Sequence, residues 1–409
     1  RQPEGVEKML LLAGKLLADV PVGRLYCNQN PQAAVVSRRG LEEWGGKKQM
    51  TKQEWLKQYE HLSARDQSLL SRAYDTLETN TMREKGMPWG DMPCITPWQR
   101  EKEGISNVNR GIWNWDSAFH AMAVSRYDTD LAKSCIEAFC QFQLEDGMFP
   151  DVVFANGHVV NDLSKPPVMA WATELVYERC GDRAFLERMY ARLVKNEAFW
   201  CEQRQYQGLF YFSSQKDVEK DNYQRARYES GWDNSPRYDT PIVNLWAIDL
   251  NCFMVQTYRA LAEISEHLGL DDAQKWLARG EKVAQLINER MYDEERGVYA
   301  DTDKYTGKQI RTLSPASFMP LYIGIAPHER AEAMEKIAAD PQKFFPYMPT
   351  VTYDDPAYST DYWRGPVWLN VAYFAAKGLK DYGFDKTADA IKEAILNMCD
   401  QIRDGIYEN

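Results

Sequence analysis

From about residue 66 onward, apolar residues recur at helical spacing almost to the end of the chain, and that periodicity limits the fold more than any other feature. Leu69, Leu70, Ala73, Tyr74 and Leu77 mark a first helix, and a second begins near Asp116. A third is expected over 129–145, with Leu131, Cys135, Ile136 and Phe139 on one face and Gly147 just past its end. Pro167 opens a fourth that stops at Gly181, and Asp182 caps a fifth carrying Phe185, Met189 and Leu193. Further helices are predicted over 241–268, 271–291, 315–325, 329–338, 366–379 and 386–403. Strand signals are few, the clearest being an extended pair at 297–301 and 307–311. Eleven helices joined mostly by short Gly or Pro turns, with no Gly/Ser linker among them, argue for one all-α domain over 61–409. Helical hairpins stacked side by side bury one face each, and closing them into a ring removes the exposed ends. Residues 1–60 read as an N-terminal appendage, with a helical pattern (Val6, Met9, Leu10, Ala13, Leu16, Leu17) followed by a loop over 21–46.

Charge and residue usage narrow the functional classes. A net charge of −11 repels phosphate backbones and anionic lipid, so neither nucleic acid nor a membrane is an expected partner. No apolar run approaches the roughly 20 residues that a membrane span needs. Eight cysteines without a Cys-x-x-Cys pair point to a reducing, cytoplasmic setting with no disulfide framework. Five scattered histidines have no metal-ligand spacing, and neither a metal nor an organic cofactor is expected. The chain has 13 Trp, 23 Tyr and 15 Phe, many standing beside charged or amide residues in loops. Ring faces next to hydrogen-bonding groups suit a sugar, whose C–H face stacks while its hydroxyls need partners.

Residues 206–240 break the helical rhythm, and a long irregular stretch inside a compact domain is usually functional. Within it, Glu229-Ser-Gly-Trp-Asp-Asn-Ser-Pro-Arg237 sets two carboxylic acids around a tryptophan. The indole of Trp232 can exclude water from a neighbouring carboxyl, as a general acid working near neutral pH requires. Gly231 permits unusual backbone geometry, and Arg237 can orient one carboxylate. A surface loop with a salt bridge explains the same residues without chemistry. Trp113-Asn-Trp-Asp116 looks like a helix start, Tyr362-Trp-Arg-Gly-Pro366 joins a loop to a helix, and Asp146-Gly-Met-Phe-Pro150 and Ser164-Lys-Pro-Pro167 read as turns. No Gly-x-Ser-x-Gly elbow, phosphate loop or dinucleotide fingerprint is present. Paired carboxylates are the best-supported apparatus, and glycosidic bond cleavage is the reaction most often run with them.

Taken in order, Trp113–Asp116, Asp146–Pro150, Pro166-Pro-Val-Met-Ala-Trp171, Glu229–Arg237 and Tyr362–Pro366 resemble the catalytic domain of family 63 glycoside hydrolases and the related family 37 trehalases. The resemblance runs from about residue 66 to the last residue and implies an α/α toroid of six inner and six outer helices. With eleven helices read where the family has twelve, the expectation is that the last is missing from this chain and that the natural chain continues past Asn409. The resemblance makes Asp233 the general acid and places Glu408 where the family's general base stands, although that motif matches over two residues only. It implies that Asp116 and Arg364 hold hydroxyls of the reacting sugar, and that Trp113, Trp115, Phe149, Trp232, Arg237 and Trp363 contribute to substrate binding. The implied function is inverting hydrolysis of an α-glycosidic bond, most simply an α-glucosidic one, in a di- or oligosaccharide. A sugar epimerase or lyase on the same toroid, or a carbohydrate-binding relative without catalysis, stays open from sequence.

Overall fold

A computed structural model describes residues 49–97, 110–216 and 223–402. Its helices are α1 (Lys52–Lys57), α2 (Ala64–Thr79), α3 (Asn114–Val124), α4 (Thr129–Cys140), α5 (Met169–Cys180) and α6 (Arg183–Gln203). There follow α7 (Ile248–Leu268), α8 (Ala273–Arg290), α9 (Met319–Tyr322), α10 (His328–Ala338), α11 (Leu369–Asp381) and α12 (Asp385–Gln401). Several ends obey local chemistry. Gly181 closes α5 at φ +61°, and the Asp182 side chain then accepts the Phe185 N–H at 3.0 Å to open α6. Gly269 ends α7 in the same left-handed conformation.

Alternate helices form two concentric layers. Each of α3, α5, α7, α9 and α11 packs on the next, forming the inner layer, while α2, α4, α6, α8, α10 and α12 lie outside. Helix α12 packs back against α2, which brings the two ends of the outer layer together. The result is an all-α toroid, with five inner and six outer helices among the described residues. Its centre is filled by aromatic rings. Phe374 of α11 lies 6.1 Å from Phe119 of α3, 6.3 Å from Trp171 of α5, 6.1 Å from Phe253 of α7 and 4.7 Å from Tyr322 of α9. One ring from every described inner helix therefore meets at one hub.

Some expectations shift. The helix expected over 315–325 is a 3-10 turn, Pro315–Phe318, followed by the short α9, and Gly324 turns the chain away at φ +67°. Around the extended pair expected at 297–301 and 307–311, two further pairings form, one local and one long-range. Val298–Tyr299 pairs with Tyr292–Asp293, and Thr302–Asp303 pairs with the distant Leu245–Trp246. The expected pairing is kept around one bridge, Thr302 with Gln309, flanked by the Ile310 N–H on the Asp301 carbonyl at 2.9 Å and the Asp303 N–H on the Lys308 carbonyl at 2.8 Å. The expected boundary at residue 60 cuts through packed structure, because Trp55 of α1 is 2 % exposed against Tyr59, Tyr74 and Tyr127. The expected helix at 6–17 lies outside the described residues. The seven described cysteines are free thiols, and no described helix is long and apolar enough to cross a membrane.

Candidate active site

The site begins where a short strand runs directly into an inner helix. Strand β1 (Gly111–Trp113) pairs antiparallel with β2 (Val152–Phe154), with Trp113 opposite Val152. The chain enters α3 at Asn114, whose N–H donates to the Asp151 carbonyl at 2.9 Å and whose Nδ2 donates to the Pro150 carbonyl at 3.1 Å. These bonds hold Asp116, in the first turn of α3, next to Asp151. Both carboxylates are buried, at 2 % and 8 % exposure. Lys165 reaches in from the loop before α5, with Nζ 3.1 Å from Asp151 Oδ1, and it also donates to the Tyr228 carbonyl.

The second wall is the irregular stretch. A 3-10 turn, Arg225–Ser230, ends at Gly231, where φ is +76°. A Cβ on Gly231 would lie 2.5 Å from the indole of Trp115, so glycine is what lets this backbone rest on the ring. The chain then turns tightly, with the Ser235 N–H on the Trp232 carbonyl at 2.7 Å, and presents Asp233 half-buried. Burial pushes the Asp151 carboxyl up to about 6; the Lys165 ammonium opposes this, and the charges of Asp233 and Asp116 push further. Three carboxylates and one ammonium therefore act on each other at the N-terminal end of α3.

The third wall is the segment before α11. Asn234 joins it to the Asp233 turn, accepting the Trp363 N–H at 2.8 Å and donating to Asp361 Oδ2 at 2.9 Å. Arg364 makes a bidentate pair with Asp239, both bonds at 2.9 Å, and donates to the Asn234 carbonyl at 3.0 Å. Trp363 stacks on Trp368 at 3.5 Å between ring centroids and packs on Trp232 at 4.8 Å.

Of the residues expected in the site, Asp233 and Asp116 are brought together, and Trp113 stands half-buried beside Phe154 at 5.6 Å. Trp115, Trp232 and Trp363 are at most 4 % exposed, so they back the site rather than offer open stacking faces. Phe149 is a correction: at 1 % exposure, and edge-on to Phe139, it belongs to the core. Arg237 is another. Its guanidinium is sealed beneath Trp232 and bonded to Asp249 at 3.0 and 2.9 Å and to Asp301 at 2.8 and 2.8 Å, which leaves it for structure rather than for a sugar or for Asp233. Glu229 likewise faces inward. It accepts the Ser164 and Ser213 N–H groups at 3.0 and 2.6 Å and pairs with Arg204, tying three loops together. Burial holds its carboxyl above the usual range. Arg364 acts as a latch on the rim through Asp239. Glu408 lies outside the described residues. Sequence reading singles out neither Asp151 nor Lys165. The one signal is position: Asp151 directly follows Asp146–Pro150, and Lys165 lies inside Ser164–Pro167, both read as turns. Among the described residues no group of three His, Cys, Asp or Glu side chains is placed to hold a metal ion.

The arrangement offers a proton donor, acceptors for sugar hydroxyls and a negative field for a cationic transition state. Comparison with known proteins agrees in kind. Residues 109–409 match the model of the mannosylglycerate hydrolase MGH1-like glycoside hydrolase domain. A mannosylglycerate hydrolase of Rubrobacter radiotolerans is 26 % identical over 387 residues, covering 72 % of this chain and 84 % of that protein. A glucosylglycerate hydrolase of Mycolicibacterium hassiacum is 24 % identical over 365 residues, covering 63 % and 77 %. Among solved structures, a GH63 mannosylglycerate hydrolase from Thermus thermophilus, in complex with Tris and D-glycerate, superposes with a TM-score of 0.64 at 22 % identity, covering 79 % of this chain and 90 % of that one. A neutral trehalase from Saccharomyces cerevisiae has the same fold, with a TM-score of 0.62 at 17 % identity over 78 % and 70 % of the two chains.

Proposed function

Since the chain belongs to the mannosylglycerate hydrolase MGH1-like glycoside hydrolases and is therefore a glycosidase, we propose that it cleaves the α-glycosidic bond of a hexosyl glycerate with inversion at the anomeric carbon. The observation that carries this reading is the convergence of Asp233, Asp116 and Asp151 at the end of one inner helix. Asp233, half-buried on a turn held by Gly231 and Asn234, protonates the departing oxygen. Asp116 and the Asp151–Lys165 pair hold ring hydroxyls, and their net negative charge favours the oxocarbenium-like transition state. Glu408 takes the role of general base on the opposite ring face, which in an inverting enzyme stands about 6.5–9.5 Å from the acid so that a water fits between them. A glycerate aglycone is favoured over the di- or oligosaccharide expected from sequence because the mannosylglycerate and glucosylglycerate hydrolases are relatives over most of their lengths.

Asp233→Asn should lower kcat on α-mannosylglycerate or α-glucosylglycerate about 10²–10⁴-fold with little change in thermal unfolding. Proton NMR of the first-formed sugar should show the β anomer. Full activity in the variant, or an α anomer released first, would end the assignment.

A further inference from the structure

A cavity about 560 Å³ in volume opens between the segment before α11 and the outer helix α12. That size is within the ~300–1,000 Å³ of small-ligand sites. It is lined by Gly365, Pro366 and Val367, by the Ala390–Gln401 face of α12, and by Tyr347, Tyr353 and Tyr358. The rings of Tyr353 and Tyr358 are 5.4 Å apart and tilted by 51°. Gly365 makes the close approach possible, because a Cβ there would collide with the Ser359 carbonyl and meet the Tyr358 ring at 3.0 Å.

The lining is rich in hydrogen-bonding groups with no bond to a described protein residue. None of the three phenol oxygens has one, nor does the Gln401 carboxamide, and Asn397 uses only its oxygen, on Arg65 at 2.6 Å. The charged groups, in contrast, are spent on each other. Arg65 pairs with Glu393 at 2.8 Å and with Asp66 at 3.0 Å, so among the described residues the rim offers an anion no free cation. Unspent hydroxyl and amide groups around aromatic faces, without net charge to offer, match a neutral polyhydroxy ring. We propose that this cavity is a saccharide-binding site separate from the Asp233 cluster, taking a neutral glucose-type oligosaccharide with one ring against Tyr353 and Tyr358. One segment contributes to both sites: Trp363 packs on Trp232 and Trp368, while Gly365 to Val367 line the cavity together with α12. The proposal does not depend on which glycoside the Asp233 site cleaves.

Calorimetry on the full chain tests it with two probes. α-Cyclodextrin is a ring of glucose units without a non-reducing end to present to the Asp233 site, and maltotriose is its linear counterpart. Binding of either probe should saturate and survive Asp233→Asn. It should weaken at least about tenfold in Ala394→Trp, which fills the cavity, and in the double variant Asn397→Ala with Gln401→Ala. Hydrolysis of the hexosyl glycerate should stay unchanged in the double variant, whose two positions are exposed on α12. No saturable binding of either sugar, or binding indifferent to the double variant, would overturn the site. Should Ala394→Trp fail to fold, the double variant decides alone. Loss of hydrolysis in Asp233→Asn with cyclodextrin binding intact separates this proposal from the reading of the active site.

Discussion

At the scale of single residues, Asp151 shows how surroundings set a charge state. A carboxyl titrates ordinarily near ~3.9, and burial beside Asp233 and Asp116 pushes this one up to about 6 despite Lys165. Between those two values the folded chain holds a proton that the unfolded chain has released. Its contribution to stability therefore falls as pH rises from about 4 to about 6, by on the order of 2–3 kcal/mol in all, and is level above that. Asp151→Asn removes this proton. Urea unfolding between pH 4 and 7 should give the wild type a downward slope in that window that the variant lacks; parallel slopes would refute the assignment. Asp233 and Asp116 are legible in the sequence because each lies in a dense motif. Asp151 is not, since its significance comes from burial and from carboxylates and an ammonium contributed by three separate segments. Arg237 shows the opposite error: a conspicuous arginine beside a candidate acid turns out to serve two distant aspartates, Asp249 and Asp301.

At the scale of elements, glycines that look alike in sequence carry different loads. Gly181 and Gly231 both have positive φ, at +61° and +76°, but only Gly231 has a ring against the position of a Cβ. Gly181→Ala should cost roughly 1–2 kcal/mol, the left-handed penalty alone, and leave kcat/KM unchanged. Gly231→Ala should cost about 1–3 kcal/mol more, as Trp115 is displaced, and should lower kcat/KM because Asp233 follows two residues later. Urea unfolding and steady-state kinetics on both variants check this, and equal losses would show that the Trp115 contact does not position the acid. Helix ends such as Gly181 with Asp182 can be read from local signals, because their bonds close within a few residues. The pairing of Thr302–Asp303 with Leu245–Trp246 cannot, because the partner is more than fifty residues away and has no local signature.

On the scale of the whole molecule, the inner helices meet at Phe374, whose neighbours come from four other helices. Phe374→Ala should destabilise the fold by about 3–5 kcal/mol, the usual loss for a buried ring, while Phe374→Leu should cost clearly less. Denaturant unfolding of the two variants measures this. If alanine cost under ~1 kcal/mol, the hub would not be tightly packed. The hub also explains why the candidate site forms at one end of the ring: with the centre filled, the proposed catalytic groups gather where α3 begins and the loops before α5, α7 and α11 come together.

Periodicity and local punctuation determined from the sequence alone that this chain folds as packed helices, because helices satisfy their own backbone and bury one stripe; the closed ring followed from the family resemblance of its motifs. The same reading singled out the turn that carries Asp233, the proposed acid, since an irregular aromatic stretch stands out against regular helices. Which tryptophans and arginines face the site, and which carboxylates act on one another, was decided only by tertiary packing. Those roles depend on distance and desolvation between segments far apart in the chain, and neither quantity is encoded in local spacing.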